Sequence, residues 1–314
     1  MTREAEAGPG DGDVAASGPG GGGADGDRPP LVSVVVPVGR VDDDLVVQLQ
    51  ALAAQKTDDR WELVLSLNSP EPAERAALEA ALEGRDGLVA RIVDSSRLRS
   101  ASHARNVGAA AAEGELLLFC DGDDVAEPAW LAEMVAALEE HDAVGGHLDE
   151  DLLAVPGQEH WRPPATPDAL PTFLGRPYVV SANFGVRRAA FDAVGGFDTS
   201  LVRGEDIALS WDLLDRGYHL AYAPAAVMHY RHRKGLWPML RQHYLYGRGF
   251  SQILARRGVP GQNQGSTGLR ALKPNNQPVA HKSSIHYVRR GAIAAGRVVG
   301  LVEQRARDRQ RPPV

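Results

Sequence analysis

Three acidic side chains stand together in Asp121-Gly122-Asp123-Asp124, directly after the apolar run Glu115–Cys120 (ELLLFC). Carboxylates this close repel one another unless a cation or hydrogen-bond donors offset their charge. Hard oxygen ligands suit Mg²⁺ or Mn²⁺, and such an ion usually completes its shell with phosphate oxygens and water. The plain alternative is an acidic loop that caps the helix beginning near Glu127. A second acidic pair, Glu205-Asp206, follows Gly204 at the start of a helical pattern. It suits helix capping, or a general base that activates a poorly nucleophilic hydroxyl. Arg105 and Asn106 sit early in Ser102–Gly108 (SHARNVG), where a guanidinium fork can reach a phosphate or a base edge. His229, in His229-Tyr230-Arg231-His232, carries an imidazole able to complete a metal shell or to serve as a structural strand end.

These residues need a frame, and the hydrophobic pattern supplies one. Leu31–Val38 (LVSVVVPV) is a continuous β-branched run, the mark of a strand covered on both faces. Helical spacing of Leu45, Leu49 and Leu52 follows, with acidic residues at its start, where the helix dipole favours them. Strands at Glu62–Leu67, Val89–Val93 and Glu115–Cys120 then alternate with helices at Glu71–Leu82, Ser100–Ala112 and Glu127–Glu140. Short connections in this alternation predict a parallel, doubly wound sheet. Further on, Pro156–Pro177 reads as a loop, Tyr178–Val186 as a strand, Arg188–Val194 as a short helix and Glu205–Arg216 as a helix. Tyr218–Tyr222 and Ala226–Tyr230 read as two short strands. Leu236–Arg257 reads as a helix, Gly258–Pro278 as a polar mobile loop and Ser284–Asp308 as one basic helix.

Composition excludes several classes. One cysteine, Cys120, rules out an intramolecular disulfide framework and a multi-thiolate zinc site. No apolar run approaches the ~20 residues of a membrane span, and no charged-then-apolar leader is visible. The expected compartment is the cytoplasm. Residues 1–30 hold nine of the 34 glycines and no aromatic residue, which predicts a disordered arm. Gly18, Gly20 and Gly23 in that arm match a dinucleotide-binding spacing, but with no strand before them and no helix after them they disfavour a dehydrogenase. Net charge is −4 over residues 1–30, −18 over 31–227 and +15 over 228–314. An acidic body argues against general nucleic-acid binding. The basic end suits an anionic membrane surface, an anionic substrate, the acidic body itself or simple solubilisation.

Taken in order, VSVVVPV, ARNVGAAAAEGELLLFCDGDD, ANFGVRRAAFDAVGGFD and GEDIALSWDLLDRGYHLAYAPAAVMHY resemble family 2 glycosyltransferases of the GT-A fold, over roughly Val32 to His232. The resemblance implies an α/β GT-A-type doubly wound, mostly parallel sheet flanked by helices, with a helical basic C-terminal extension. It implies a glycosyltransferase domain over 31–232; composition and pattern add the disordered arm over 1–30 and the helical basic extension over 233–314. Within the domain, 31–124 would be the nucleotide-binding half and 125–232 the acceptor-side half.

The resemblance also implies residue roles. Pro37 and Val38 would lie beside the nucleotide base. Arg105 would touch the nucleotide and Asp121 the ribose and diphosphate. Asp123 would bind Mg²⁺ or Mn²⁺, with His229 as a second ligand, and Asp206 would be the catalytic base beside Glu205. The sequence departs from the family at Val38-Gly39-Arg40, where an aromatic residue is usual; Arg40 would replace it by stacking its guanidinium. It departs again at Asn68, which stands where the family carries an acidic residue contacting the base.

The implied activity is inverting transfer of a sugar from a nucleoside-diphosphate sugar to a hydroxyl acceptor, saccharide or lipid-linked, in cell-surface glycan, glycolipid or secondary-metabolite assembly. The alternative is a non-catalytic nucleotide-sugar-binding or scaffolding subunit, and whether Asp123 and Asp206 face one pocket discriminates the two. A sugar nucleotidyltransferase is disfavoured because no Gly-x-Gly-x-Arg-type loop follows the first strand. The basic tail, with Arg289, Arg290, Arg297, Arg305, Arg307 and Arg309, fits a peripheral membrane helix with its arginines at the headgroups. It fits an oligomer contact equally well.

Overall fold

The computed structural model describes residues 31–85, 87–158, 161, 168–257 and 284–310. The expected disordered arm over 1–30 and the expected mobile loop over 258–278 lie outside them. The first half follows the alternation read from the pattern. Strand β1 (Val32–Val38) is followed by α1 (Asp43–Ala53), β2 (Trp61–Leu67), α2 (Pro72–Leu82), β3 (Ala90–Asp94), α3 (Ala101–Ala111) and β4 (Leu116–Cys120). The Asp42 side chain caps α1 by accepting from the Leu45 amide, and Ser100 caps α3 by accepting from the His103 amide. Strand β1 pairs in parallel with β2 and β4, and β2 pairs in parallel with β3.

The second half carries β5 (Val125–Ala126), α4 (Trp130–Glu140), β6 (Ala143–Asp149), β7 (Thr172–Phe173), β8 (Arg176–Pro177), β9 (Asn183–Arg187) and α5 (Arg188–Val194). It continues with α6 (Glu205–Asp215), β10 (Leu220–His229), α7 (Leu236–Arg257) and α8 (Ser284–Gln310). One eight-stranded sheet has the order β3-β2-β1-β4-β9-β6-β10-β5, and β7 with β8 forms a small antiparallel pair. The sheet is mostly parallel, as expected, with two exceptions. Strand β9 runs antiparallel between β4 and β6, because it is reached from β6 by the proline-rich excursion and not by a helical crossover. Strand β5 pairs antiparallel with the end of β10.

Three local expectations are corrected. The segment 143–149 is a strand that the pattern did not announce, since Gly145 and Gly146 dilute its apolar signal. The strand expected at Tyr178–Val186 is confined to Asn183–Arg187. The two strands expected at 218–222 and 226–230 are one strand whose register against β6 shifts between Ala223 and Val227, a bulge at Pro224 and its neighbours.

Burial explains the stacking. On one sheet face, Val32, Val34 and Val36 pack with Leu45, Leu49 and Leu52 of α1 and with Trp130, Leu131, Met134 and Leu138 of α4. On the other, Val35, Val64, Leu117 and Phe119 pack with Phe184, Phe191, Phe197, Leu209 and Leu213. Helix α3 sits close against β1: a Cβ on Gly108 would lie 2.4 Å from Val35 Cγ1. A third cluster joins Ile207, Ala208 and Trp211 of α6 to Ile253 and Leu254 of α7. Helix α7 therefore shares its core with the sheet domain, across the expected boundary at 232.

Candidate functional site

Strands β1, β2 and β4 end side by side, and ligands of open α/β sheets bind beyond such carboxyl ends. A cavity of about 450 Å³ opens there. Pro37, Asn68 and Asp121 line it from the strand ends, Arg105 from α3, Glu205 and Asp206 from the start of α6, and Gln242, Tyr246 and Phe250 from α7. Asp123 and Asp206 face this one cavity.

The acidic loop leaves β4 with the three carboxylates of Asp121, Asp123 and Asp124 in reach of one another; one ligand oxygen of each lies within 4.8 Å of the others. The loop is held from behind. Gln48, buried on the otherwise apolar face of α1, donates to the Asp121 carbonyl at 3.3 Å and accepts from the Ala126 amide at 3.0 Å. The Arg231 amide donates to Asp124 Oδ1 at 2.8 Å, and Arg231 Nε donates to the Asp123 carbonyl at 2.8 Å. Asp124 is fully buried, and its Oδ2 has no hydrogen-bond partner among the described residues. Burial, and then the Asp121 charge, push its carboxyl well above the ordinary range. The Asp123 side chain is exposed to the cavity, yet the cleft walls and the Asp121 charge raise its carboxyl to about 6. A crowded carboxylate set with an orphaned buried oxygen fits a hard divalent cation.

On the opposite wall Gly204 precedes α6 with φ +84°, a left-handed conformation that aims the first helical turn into the cavity. A Cβ there would also lie 2.7 Å from Ile253 Cδ1. Asp206 Oδ1 accepts from the Ile207 amide at 2.8 Å. Burial, and then the Glu205 charge, raise the Asp206 carboxyl to about 7. Burial and the Asp206 charge also push the phenols of Tyr178 and Tyr246 upward, keeping both neutral beside it.

Arg105 joins the two walls. Its Nη2 donates to Asp121 Oδ1 at 2.5 Å and its Nη1 to Glu205 Oε1 at 3.4 Å, and only 3 % of the residue is exposed. Both nitrogens of the guanidinium edge are engaged by protein carboxylates, so Arg105 acts here as a charge bridge. Asn106, its neighbour, ties α3 to the Gly195-Gly196-Phe197 turn through bonds to the Phe197 carbonyl and amide.

The structure does not gather every expected residue. Pro37 and Asn68 line the cavity, whereas Val38 is buried in the sheet and does not. Asn68 is occupied locally: its amide donates to the carbonyls of Ser95 and Leu98, and its Oδ1 accepts from the Ser100 amide. These bonds hold the loop before α3. Arg40 lies outside the cavity lining, exposed and paired with Asp42 at 2.6 Å. His229 is likewise not brought to the acidic loop. Its Nε2 meets Glu127 at 2.6 Å and its Nδ1 meets Asp149, so both ring nitrogens are committed to carboxylates away from the cluster. Missed by the sequence reading were Gln48, Arg231 and the cavity residues Tyr178, Arg203, Arg233, Gln242 and Tyr246. Gln48 alone carried a signal, a polar residue on a leucine face.

Comparison with known proteins agrees with this architecture. The family described as Glycosyl transferase family 2 matches residues 33–195, just over half of the chain, and Glycosyl transferase family group 2 matches residues 172–290. The chain is 28 % identical over 172 residues to the pre-mycofactocin glycosyltransferase of Mycobacterium tuberculosis, covering 49 % of this chain and 34 % of that protein. It thus spans about a third of that relative's length. Among solved structures it resembles the mannosyltransferase PcManGT of Pyrobaculum calidifontis, in complex with GDP-Man and Mn²⁺, with a TM-score of 0.59 at 18 % identity, over 89 % of this chain and 76 % of that one. It also resembles S. aureus TarS 1-349 in complex with UDP-GlcNAc, with a TM-score of 0.52 at 17 % identity, over 88 % and 92 %. These two likenesses show the fold, which is of the GT-A type.

Proposed function

Because the chain belongs to glycosyl transferase family 2, we propose that it is an inverting glycosyltransferase that moves a sugar from a nucleoside-diphosphate sugar to a hydroxyl of a saccharide or lipid-linked acceptor, in cell-surface glycan or glycolipid assembly. The observation that carries this reading is the placement of Asp123 and Asp206 on facing walls of one cavity, bridged through Asp121, Arg105 and Glu205. A scaffolding role needs no such pairing.

Asp121 and Asp123 would hold Mg²⁺ or Mn²⁺, which when bound neutralises charge growing on a departing diphosphate. Everything else falls to side chains. Asp206, the raised carboxylate, accepts the acceptor hydroxyl's proton. The freed oxygen forms its bond to the anomeric carbon as the bond from that carbon to the diphosphate oxygen breaks on the opposite face. One displacement inverts the carbon and needs no covalent enzyme intermediate. Arg105 keeps Glu205 from adding an uncompensated charge beside the base. Tyr178, Tyr246 and Phe250 form an aromatic side of the cavity suited to the faces of sugar rings, and Gln242, which donates to the Tyr246 hydroxyl at 2.8 Å, orients one of them.

Calorimetric titration with UDP, GDP and dTDP, with and without Mn²⁺, tests the reading. Metal-dependent binding of one nucleotide, lost in Asp123→Ala, is the expected result. Absence of binding by all three under both conditions would return the chain to the scaffolding class.

A further inference from the structure

Helix α8 buries a histidine and two arginines against the protein and exposes a row of apolar residues, while Ile285, Ile293 and Val299 stay half-buried. Its inward face carries His286, Arg289, Gly296, Arg297 and Gly300, all buried. Its outward face carries Tyr287, Val288, Ala294, Ala295, Val298 and Val302 at helical spacing, all exposed. Tyr287 is 59 % exposed, Val298 53 % and Val302 61 %. An ordinary amphipathic surface helix places these types the other way round.

The inversion has a packing cause. Glycines let α7 and α8 touch at the backbone: a Cβ on Gly296 would lie 1.9 Å from the Tyr244 carbonyl oxygen, and one on Gly247 would lie 2.1 Å from the Ile293 carbonyl oxygen. The arginines then lie along α7 and the sheet domain. Arg297 stands over the Phe250 ring at 5.7 Å, and Arg289 Nη1 donates to the Trp161 carbonyl at 3.4 Å. The expectation that Arg289 and Arg297 project from this helix toward headgroups is therefore corrected. What α8 offers outward is an apolar stripe about 22 Å long, from the rise of a helix between Tyr287 and Val302.

We propose that the outward face of α8 seats the protein on an anionic lipid bilayer, lying in the interface with Tyr287, Val288, Val298 and Val302 among the upper acyl chains. Three observations select this occupant. Residues 228–314 hold 17 basic and two acidic side chains; with Arg289 and Arg297 turned inward, the remaining basic excess favours an anionic surface and opposes apposition of two copies of the same segment. Among the described residues no helix is long and apolar enough to cross a membrane, so contact of this kind is interfacial. The aromatic residues gather at one end: α7 and α8 run in the same direction, with Tyr244 beside Gly296 and Arg248 beside Gly300. That register brings Trp237, 80 % exposed, to the end that carries Tyr287, and such amphipathic rings favour a membrane–water boundary.

A consequence for substrate follows, and it rests on the glycosyl-transfer reading. The helix that α8 packs against, α7, also lines the cavity with Gln242, Tyr246 and Phe250, so the reaction would run one helix away from the bilayer. That position suits an acceptor carried on a lipid.

Flotation of the full chain with vesicles, in parallel with nucleotide titration, tests the proposal. At low salt the protein is expected to float with 1:1 phosphatidylcholine–phosphatidylglycerol vesicles and to stay down with phosphatidylcholine alone. The pair Val298→Asp and Val302→Asp should lower the bound fraction about tenfold or more, since each apolar contact is replaced by a charge, with nucleotide binding unchanged. Trp237→Ser, on the neighbouring helix, should lower it several-fold and serves if the double variant fails to fold. Failure to float with the anionic vesicles overturns the proposal, as does flotation that survives both variants. A lipid-free dimer that Val298→Asp dissociates would also overturn it and assign the face to a second copy. Flotation without nucleotide binding would leave the membrane contact standing and remove the glycosyl-transfer reading.

Discussion

The two acidic walls of the cavity solve the same electrostatic problem in opposite ways. The loop after β4 brings three carboxylates together, and among the described residues Asp121 is the one of them paired with a buried cation, Arg105. The start of α6 brings two together and supplies Arg105 to Glu205, leaving Asp206 in reach of the cavity with a carboxyl raised to about 7. On the proposed reading the first arrangement would be completed by a cation and the second by a proton. That reading would divide identical side-chain chemistry between charge neutralisation and proton transfer through burial and the placement of one arginine.

That division can be broken from either side. The largest effect is expected at Asp206. Asp206→Asn removes the proton acceptor and should lower transfer about 10²–10⁴-fold, while calorimetry finds donor affinity nearly unchanged. An equal loss of donor affinity would place Asp206 on the wrong wall. Asp123→Ala should do the reverse, weakening metal-dependent nucleotide binding about 10–100-fold.

Arg105→Met tests the bridge itself. With Asp121 and Glu205 left facing each other without a buried cation, chemical denaturation should show a loss of about 3–5 kcal/mol. The pH profile of the surviving enzyme should move upward, because the arginine charge that lowers the Asp206 carboxyl is gone.

In the unaltered protein the sign is set by the base. As the proposed base Asp206 would work deprotonated, and its carboxyl is raised, so transfer should fall as pH drops through about 7, and kcat against pH measures this directly. The smallest effect is expected at Arg40→Ala. Its pair with Asp42 is exposed and screened by solvent, and it does not line the cavity, so nucleotide titration should shift by less than about twofold.

Much of this molecule is written along the chain. The valine run of β1, the leucine spacing of α1 and the capping residues Asp42 and Ser100 determined local structure, because β-branched burial and cap hydrogen bonds act within a few residues. The acidic runs at 121–124 and 205–206 were legible for the same reason: each functional group lies beside its neighbour in sequence. What lay beyond reach was set by contacts distant in sequence. The pairing of Arg105 with Glu205 spans 100 residues, and the Gln48 support of the acidic loop spans 73 to 78.

The commitment of His229 to Glu127 and Asp149 depends on the close pairing of β5, β6 and β10, and no spacing rule reports that. Strand β6 was hidden because glycines erase a periodic signal. The face of α8 that meets water was decided by tertiary packing alone. Its sequence alternates glycine, arginine and valine with helical periodicity and permits either orientation, and the close approach of Gly247 and Gly296 to a neighbouring backbone turned Arg289 and Arg297 in and Val288, Val298 and Val302 out.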